Sequence, residues 1–134
     1  VKAADTSVVI AAFASWHEHH DRAREALDRG LRIIDHCVLE TYSVLTRLPP
    51  PHRCAADVVR DFLQARFVEP YLRMDGLVFK DFVLALPEHS VSGGGAYDAL
   101  VAATAAAHAA SLVTCDRRAA LVYEFYGLRA TFIG

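Results

Sequence analysis

The chain is poor in cysteine, and what it has cannot all be paired. Cys37, Cys54 and Cys115 are odd in number and far apart. That excludes a disulfide framework and reads as reduced thiols in an intracellular protein. No apolar run reaches the ~20 residues of a membrane-spanning helix. No basic start leads into a signal-like core, so a cytoplasmic location without a membrane partner is expected. Surplus positive charge is also missing: 14 Lys and Arg stand against 16 Asp and Glu, a net charge of −2. Binding to nucleic acid through charge alone is thereby excluded. Phosphates would have to be met by a metal ion, by local arginines or by a partner chain.

What is present suits a folded domain. The 134 residues are 54% hydrophobic and 22% charged, enough for one domain spanning 1–134 with a sizeable core. Its centre of gravity is Gly93–Asp116, GGGAYDALVAATAAAHAASLVTCD. Three glycines lead into an alanine-rich helical run, and a short apolar run then ends on an aspartate. Asp98 and Asp116 are the only acids in this stretch. A carboxylate in apolar surroundings costs several kcal/mol unless hydrogen-bonded, paired or bound to a cation.

Along the chain, Lys2–Phe13 reads as a buried strand ending near Asp5 and turning into a helix, or as a helix from Val8 capped by Thr6-Ser7. Asp5 then sits at a strand–helix junction, where it serves as a helix cap or as part of a site. Trp16–Gly30 holds a helix, led in by His20–Asp21, with Ala23, Ala26 and Leu27 as its stripe and Gly30 closing it; His17, His19 and His20 read as surface or helix-start residues rather than a metal site. Leu31–Asp35 is a short strand. His36–Leu48 is an amphipathic helix with Val38, Leu39, Tyr42, Leu45 and Leu48 inward and Glu40 bordering that face, stopped by Pro49-Pro50-Pro51. Cys54–Phe67 is a helix burying Ala55, Val58, Val59, Phe62 and Leu63, and Val68–Met74 is a short strand or an irregular connection. Asp75 caps a helix to Leu86 that buries Leu77, Val78, Phe82, Leu84 and Ala85. After a glycine-rich loop, Tyr97–Ala110 is a helix apolar nearly all round, and Ser111–Cys115 is a buried strand. Ala119–Tyr126 is a helix closed by Gly127, and Leu128–Ile133 is a last strand.

Short apolar strands alternating with helices predict an α/β fold, a three-layer α/β/α sandwich around a mainly parallel sheet. Ligands in such sheets gather beyond the carboxyl ends of the strands. Asp5 and Asp116 belong there. If Asp5, Glu40, Asp98 and Asp116 converge, their charges repel, and a divalent cation removes the conflict. An all-oxygen donor set suits Mg²⁺, with Mn²⁺ as alternative, and argues against zinc. The matching chemistry is phosphodiester hydrolysis, with one ion or two. Thr6 and Thr114 could orient the acids, and Arg117 and Arg118 could meet phosphate oxygens or simply begin a surface helix. Cys115 reads as core packing rather than a nucleophile.

With these acids in place, the chain resembles the PIN-domain nucleases, and among them the VapC-type toxins of bacterial toxin–antitoxin pairs. The resemblance rests on Ala4-Asp5-Thr6-Ser7-Val8, on Glu40 in HCVLETYSVLTRL, on Tyr97-Asp98-Ala99-Leu100-Val101-Ala102-Ala103-Thr104-Ala105, and on Leu112-Val113-Thr114-Cys115-Asp116-Arg117-Arg118. It implies a PIN-like fold with Asp5, Glu40, Asp98 and Asp116 in one acidic pocket holding Mg²⁺ or Mn²⁺. It also implies endoribonuclease cleavage of RNA, usually transfer or ribosomal RNA, a homodimer, and a cognate VapB-type antitoxin lying across the pocket. One departure stands out: Ala119, Ala120 and Leu121 follow Arg117-Arg118, where many family members carry a further acid or polar group. The alternatives are an inactive PIN-like binding or scaffold domain, and a metal-dependent nuclease or phosphatase with a non-RNA substrate.

Overall fold

Four short strands, all parallel, lie side by side in the order β2-β1-β3-β4: β1 Lys2–Ala4, β2 Arg32–Ile33, β3 Ser111–Thr114 and β4 Ala130–Phe132. The computed structural model describes residues 1–67 and 70–134. Of the expected Val68–Met74 connection, Val68 and Glu69 lie outside the described residues, and Leu72 makes a lone parallel bridge to Ile34. In register, Ala4 stands opposite Ile33 on one side and Val113 on the other, and Val113 opposite Thr131. Ala3, Ala4, Leu112, Val113 and Thr114 are all buried, as expected for parallel strands flanked by helices. The α/β architecture expected from the alternation is the one observed.

The junction after β1 settles which residue caps helix α1 (Thr6–Phe13): Asp5 does, accepting from the Val8 N–H. Helix α2 (His20–Asp28) starts at the expected lead-in, His20–Asp21. His20 leads it in, with Nδ1 2.8 Å from the Ala11 carbonyl oxygen, and Ala23 and Leu27 are buried. Gly30 and Gly127, placed as helix closers, have φ of +89° and +76°, a left-handed backbone that glycine adopts without a Cβ clash.

Helix α3 (Asp35–Thr46) turns inward a face that matches the expected one at Leu45, which is buried, and at Val38 and Leu48 around it, which pack against the core, but not at Leu39 and Tyr42. Its buried stripe is Cys37, Thr41 and Leu45, at i, i+4 and i+8, while Leu39 and Tyr42 are exposed. Small Cys and Thr side chains let α3 approach α1 and α4 closely, and that contact outweighs the hydrophobicity of Leu39. Helix α4 (Ala56–Arg66) buries Val59 and Leu63 but exposes Val58.

Helix α5 (Gly76–Ala85) is capped by Asp75 as expected, yet none of its residues is buried. Leu77, Val78 and Leu84 are exposed, as are Phe79 and Val83, so the expected inward set is corrected to a partial cover of Phe82 and Ala85. The reason lies in packing: among the described residues, α5 makes its main contacts with the 3-10 turn Leu86–His89 that directly follows it, and none as extensive with a strand of the sheet. Helix α6 (Gly95–Ala107) begins inside the glycine run. It buries one face, through Ala99, Val101, Ala102, Thr104 and Ala105, rather than nearly its whole circumference. Helix α7 (Arg117–Phe125) leaves β3 and returns the chain to β4.

Candidate active site

Asp5 leaves the carboxyl end of β1, its backbone N–H held by the Val113 carbonyl at 3.1 Å. Its side chain is only 3% exposed. Oδ1 accepts from the Ser7 hydroxyl at 2.5 Å and from the Val8 N–H at 3.3 Å; Oδ2 accepts from the Tyr123 hydroxyl at 2.8 Å. Burial pushes the carboxyl above its usual range, and these hydrogen bonds oppose the shift. Ser7 in turn accepts from the Cys115 N–H at 2.8 Å, which locks α1 to the end of β3.

Asp116 stands beyond the carboxyl end of β3 and caps α7, with Oδ1 accepting from the Arg118 and Ala119 N–H groups at 2.9 and 3.3 Å. Its own N–H donates to Thr114 Oγ1 at 2.9 Å, so Thr114 orients the turn that carries it. Asp98 lies in the first turn of α6, half-buried. Burial raises its pKa, and the charges of Asp116, Glu40 and Asp5 raise it further, against the pull of Arg118. Glu40 projects from α3 with Oε2 3.8 Å from His36 Nε2, an ion-pair contact too long for a hydrogen bond. His36 is the main influence holding Glu40 below the usual carboxylate range, and Glu40 reciprocally raises His36.

These four carboxylates, from four separate elements, line one pocket of about 260 Å³, together with Thr6, Ser7, Tyr97 and Tyr123. Among the described residues, no three His, Cys, Asp or Glu side chains form a ready metal-ligand group. The donor set nonetheless fits a hard cation: it is all oxygen, and Asp98 already feels the other three acids as repulsion. The hydroxyl of Thr6 lies in the same wall, buried and, among the described residues, without a hydrogen-bond partner. Of the two arginines, Arg118 is the one whose charge reaches Asp98, whereas the Arg117 guanidinium sits 3.8 Å over the centre of the Phe132 ring. The Cys115 thiol is pushed up to about 11 by burial, so it is not a nucleophile at neutral pH.

The PIN domain family profile matches residues 3–124. The chain belongs to the PIN-domain family. Among curated proteins it is 50% identical over 122 residues to Ribonuclease VapC40 of Mycobacterium tuberculosis (strain CDC 1551 / Oshkosh), covering 91% of each chain. It is 37% identical over 136 residues to Ribonuclease VapC27 of M. tuberculosis (strain ATCC 25618 / H37Rv), covering 94% of this chain and 92% of that one. Among solved structures, FitAcB from Neisseria gonorrhoeae shares the fold with a TM-score of 0.61 at 15% identity, over 98% of this chain and 96% of that one.

Three residues of this PIN-domain pocket, Ser7, Tyr97 and Tyr123, and His36 beside it, carry roles that the sequence pattern does not assign. Ser7 and Tyr123 hold Asp5, His36 pairs with Glu40, and Tyr97 lies at the edge, its ring stacked on His36. The spacing His36–Glu40 is i, i+4 on one helix and was a usable signal. Tyr123 also had one, as the residue one turn beyond buried Ala119 on α7. Its partner 118 positions away had none.

Proposed function

We propose that the chain is an Mg²⁺-dependent endoribonuclease, with Mn²⁺ as the alternative ion, acting as the toxin of a toxin–antitoxin pair. The observation that carries this reading is the convergence of Asp5, Glu40, Asp98 and Asp116 on one pocket at the carboxyl edge of the sheet. The likeness to Ribonuclease VapC40 and VapC27 supports RNA as the substrate. Asp5, Asp98 and Asp116 would hold the cation, and Glu40 would join them or orient the attacking water. A bound divalent ion supplies a more acidic water and neutralises charge on the phosphate.

The chain's own residues prepare this chemistry. Tyr123 and Ser7 fix the Asp5 carboxylate, so that it meets its ligand without reorganising. The Asp116 cap leaves Oδ2 free of the helix bonds. Arg118 offers a cation to a phosphate oxygen beside Asp98. A cognate VapB-type antitoxin placing a basic group near the acids, and a homodimer, complete the proposal. The exposed apolar side chains of α5 support a covered surface.

Asp5 and Asp116 both cap helices, which favours a second reading in which the acids are structural and the domain is an inactive scaffold. A panel of RNA, DNA and phosphomonoester substrates on one preparation, with Mg²⁺ and Mn²⁺ calorimetry, separates these. RNA cleavage with cation binding is expected. Cleavage of only DNA or a phosphomonoester reassigns the substrate, and absence of cation binding favours the scaffold.

A further inference from the structure

At the edge of the acid pocket, one aromatic side chain has no role in holding the carboxylates. Tyr97 precedes Asp98 on α6, lines the same pocket and is 56% exposed. Exposure of one aromatic ring is ordinary, and Phe125 is as exposed; what sets Tyr97 apart is its place in the wall of the acid pocket. Its position is fixed. The Tyr97 ring lies parallel to the His36 imidazole, with 5.2 Å between centroids and 5° between planes. His36 is itself anchored on α3 beside Glu40. His36 also lines a neighbouring hollow of about 280 Å³ with Leu39, Met74, Phe79 and Leu100, so the stack forms the ridge between that hollow and the acids.

We propose that Tyr97, held flat by His36, is a stacking platform for an unpaired nucleobase of the RNA strand whose phosphate enters the acid pocket. The inference rests on the ribonuclease reading above. Single-stranded RNA presents splayed bases, and proteins seize them by stacking on aromatic rings. A platform one residue from Asp98 places the base and the adjoining phosphate on the same helix turn, which fixes the register of the strand relative to the carboxylates. A net charge of −2 gives the chain little general attraction for the backbone beyond local groups such as Arg118, and a stacking contact does not depend on charge. Tyr97 is therefore a substrate-positioning residue, and His36 acts through it.

The experiment uses the full chain and a short single-stranded RNA that it cuts, with versions abasic at one position each. Tyr97→Ala is expected to raise KM by between about 5-fold and about 150-fold, the range of one lost base–aromatic stack. kcat at saturation is expected to change far less. Tyr97→Phe and Tyr97→Trp are expected to restore KM, and Tyr97→Leu is not. One abasic position should weaken wild-type binding and leave Tyr97→Ala unaffected. Tyr97 is exposed, so thermal unfolding of Tyr97→Ala should match wild type. Wild-type cleavage with an unchanged KM in Tyr97→Ala, or equal rescue by Tyr97→Leu, overturns the platform while the ribonuclease reading stands. A wild-type protein that neither binds nor cuts any RNA overturns both.

Discussion

The Tyr123 hydroxyl donates a 2.8 Å hydrogen bond to Asp5 Oδ2, joining residues 118 positions apart at the most buried carboxylate of the pocket. Tyr123 is itself 1% exposed, and its pKa is raised by burial first and by the Asp5 charge next, so it stays a donor. Removing this donor leaves a buried charge short of a partner. Tyr123→Phe is expected to lower stability by about 1.5–3 kcal/mol, the range for a hydrogen bond to a charged group. Urea unfolding with and without the substitution measures it. No change would mean that Asp5 finds another donor.

Asp5 gives a pH signature of known sign. Its folded pKa lies above the ordinary 3.8, so the folded state holds the proton more tightly than the unfolded one. The stability this contributes is complete below the unfolded value and is lost as pH rises through the folded value. Without divalent cations, Asp5→Asn should therefore gain in melting temperature relative to wild type as pH rises from ~4 toward neutrality. Thermal melts across that range test it; a gap that shrinks with rising pH contradicts the burial argument. Asp98, also raised, should behave in the same sense with a smaller effect, being half-buried.

Divalent cations should reverse that penalty. On the proposed site, Mg²⁺ or Mn²⁺ at 100 times its Kd is expected to stabilise the fold by about 2.7 kcal/mol, the gain for a ligand that binds only the folded state. Asp98→Asn should lose most of this gain while folding normally without cation. An equal cation-induced shift in both proteins would place the binding elsewhere.

Leu45 and Leu84 provide a test of the packing. Leu45 is fully buried on α3, and Leu45→Ala is expected to cost about 2–5 kcal/mol. Leu84 on α5 is 65% exposed, and Leu84→Ser should stay within about 0.5 kcal/mol in the monomer. Chemical denaturation at low protein concentration compares them. A large loss for Leu84→Ser would show that α5 is covered.

The sheet and the junctions were legible because they obey local rules. Short apolar runs bounded by helices give parallel strands, and Asp75, Gly30 and Gly127 punctuate helices in recognisable ways. Asp5 and Asp116 could be placed because a strand's end is a position that sequence shows. Helix faces were less legible. On α3, Cys37 and Thr41 turn inward while Leu39 turns out, because the fit of small side chains between helices depends on neighbours that one segment does not encode. On α5, apolar character was read as burial, although the helix has little to be buried against. The contacts of Asp5 with Tyr123, and of His36 with Tyr97, are tertiary and appear only when α7 and α6 come to rest beside α1 and α3.

Under the proposed function, the four carboxylates act as one cation-dependent centre for cutting RNA. Its most direct measurement is the cleavage rate of a single-stranded RNA panel by wild type and Asp98→Asn, each with Mg²⁺, with Mn²⁺ and with a chelator. Wild type is expected to cleave with either ion and not with the chelator, and Asp98→Asn is expected to lose at least ~100-fold. Full activity of Asp98→Asn with Mg²⁺, or undiminished wild-type cleavage in the chelator, would contradict it.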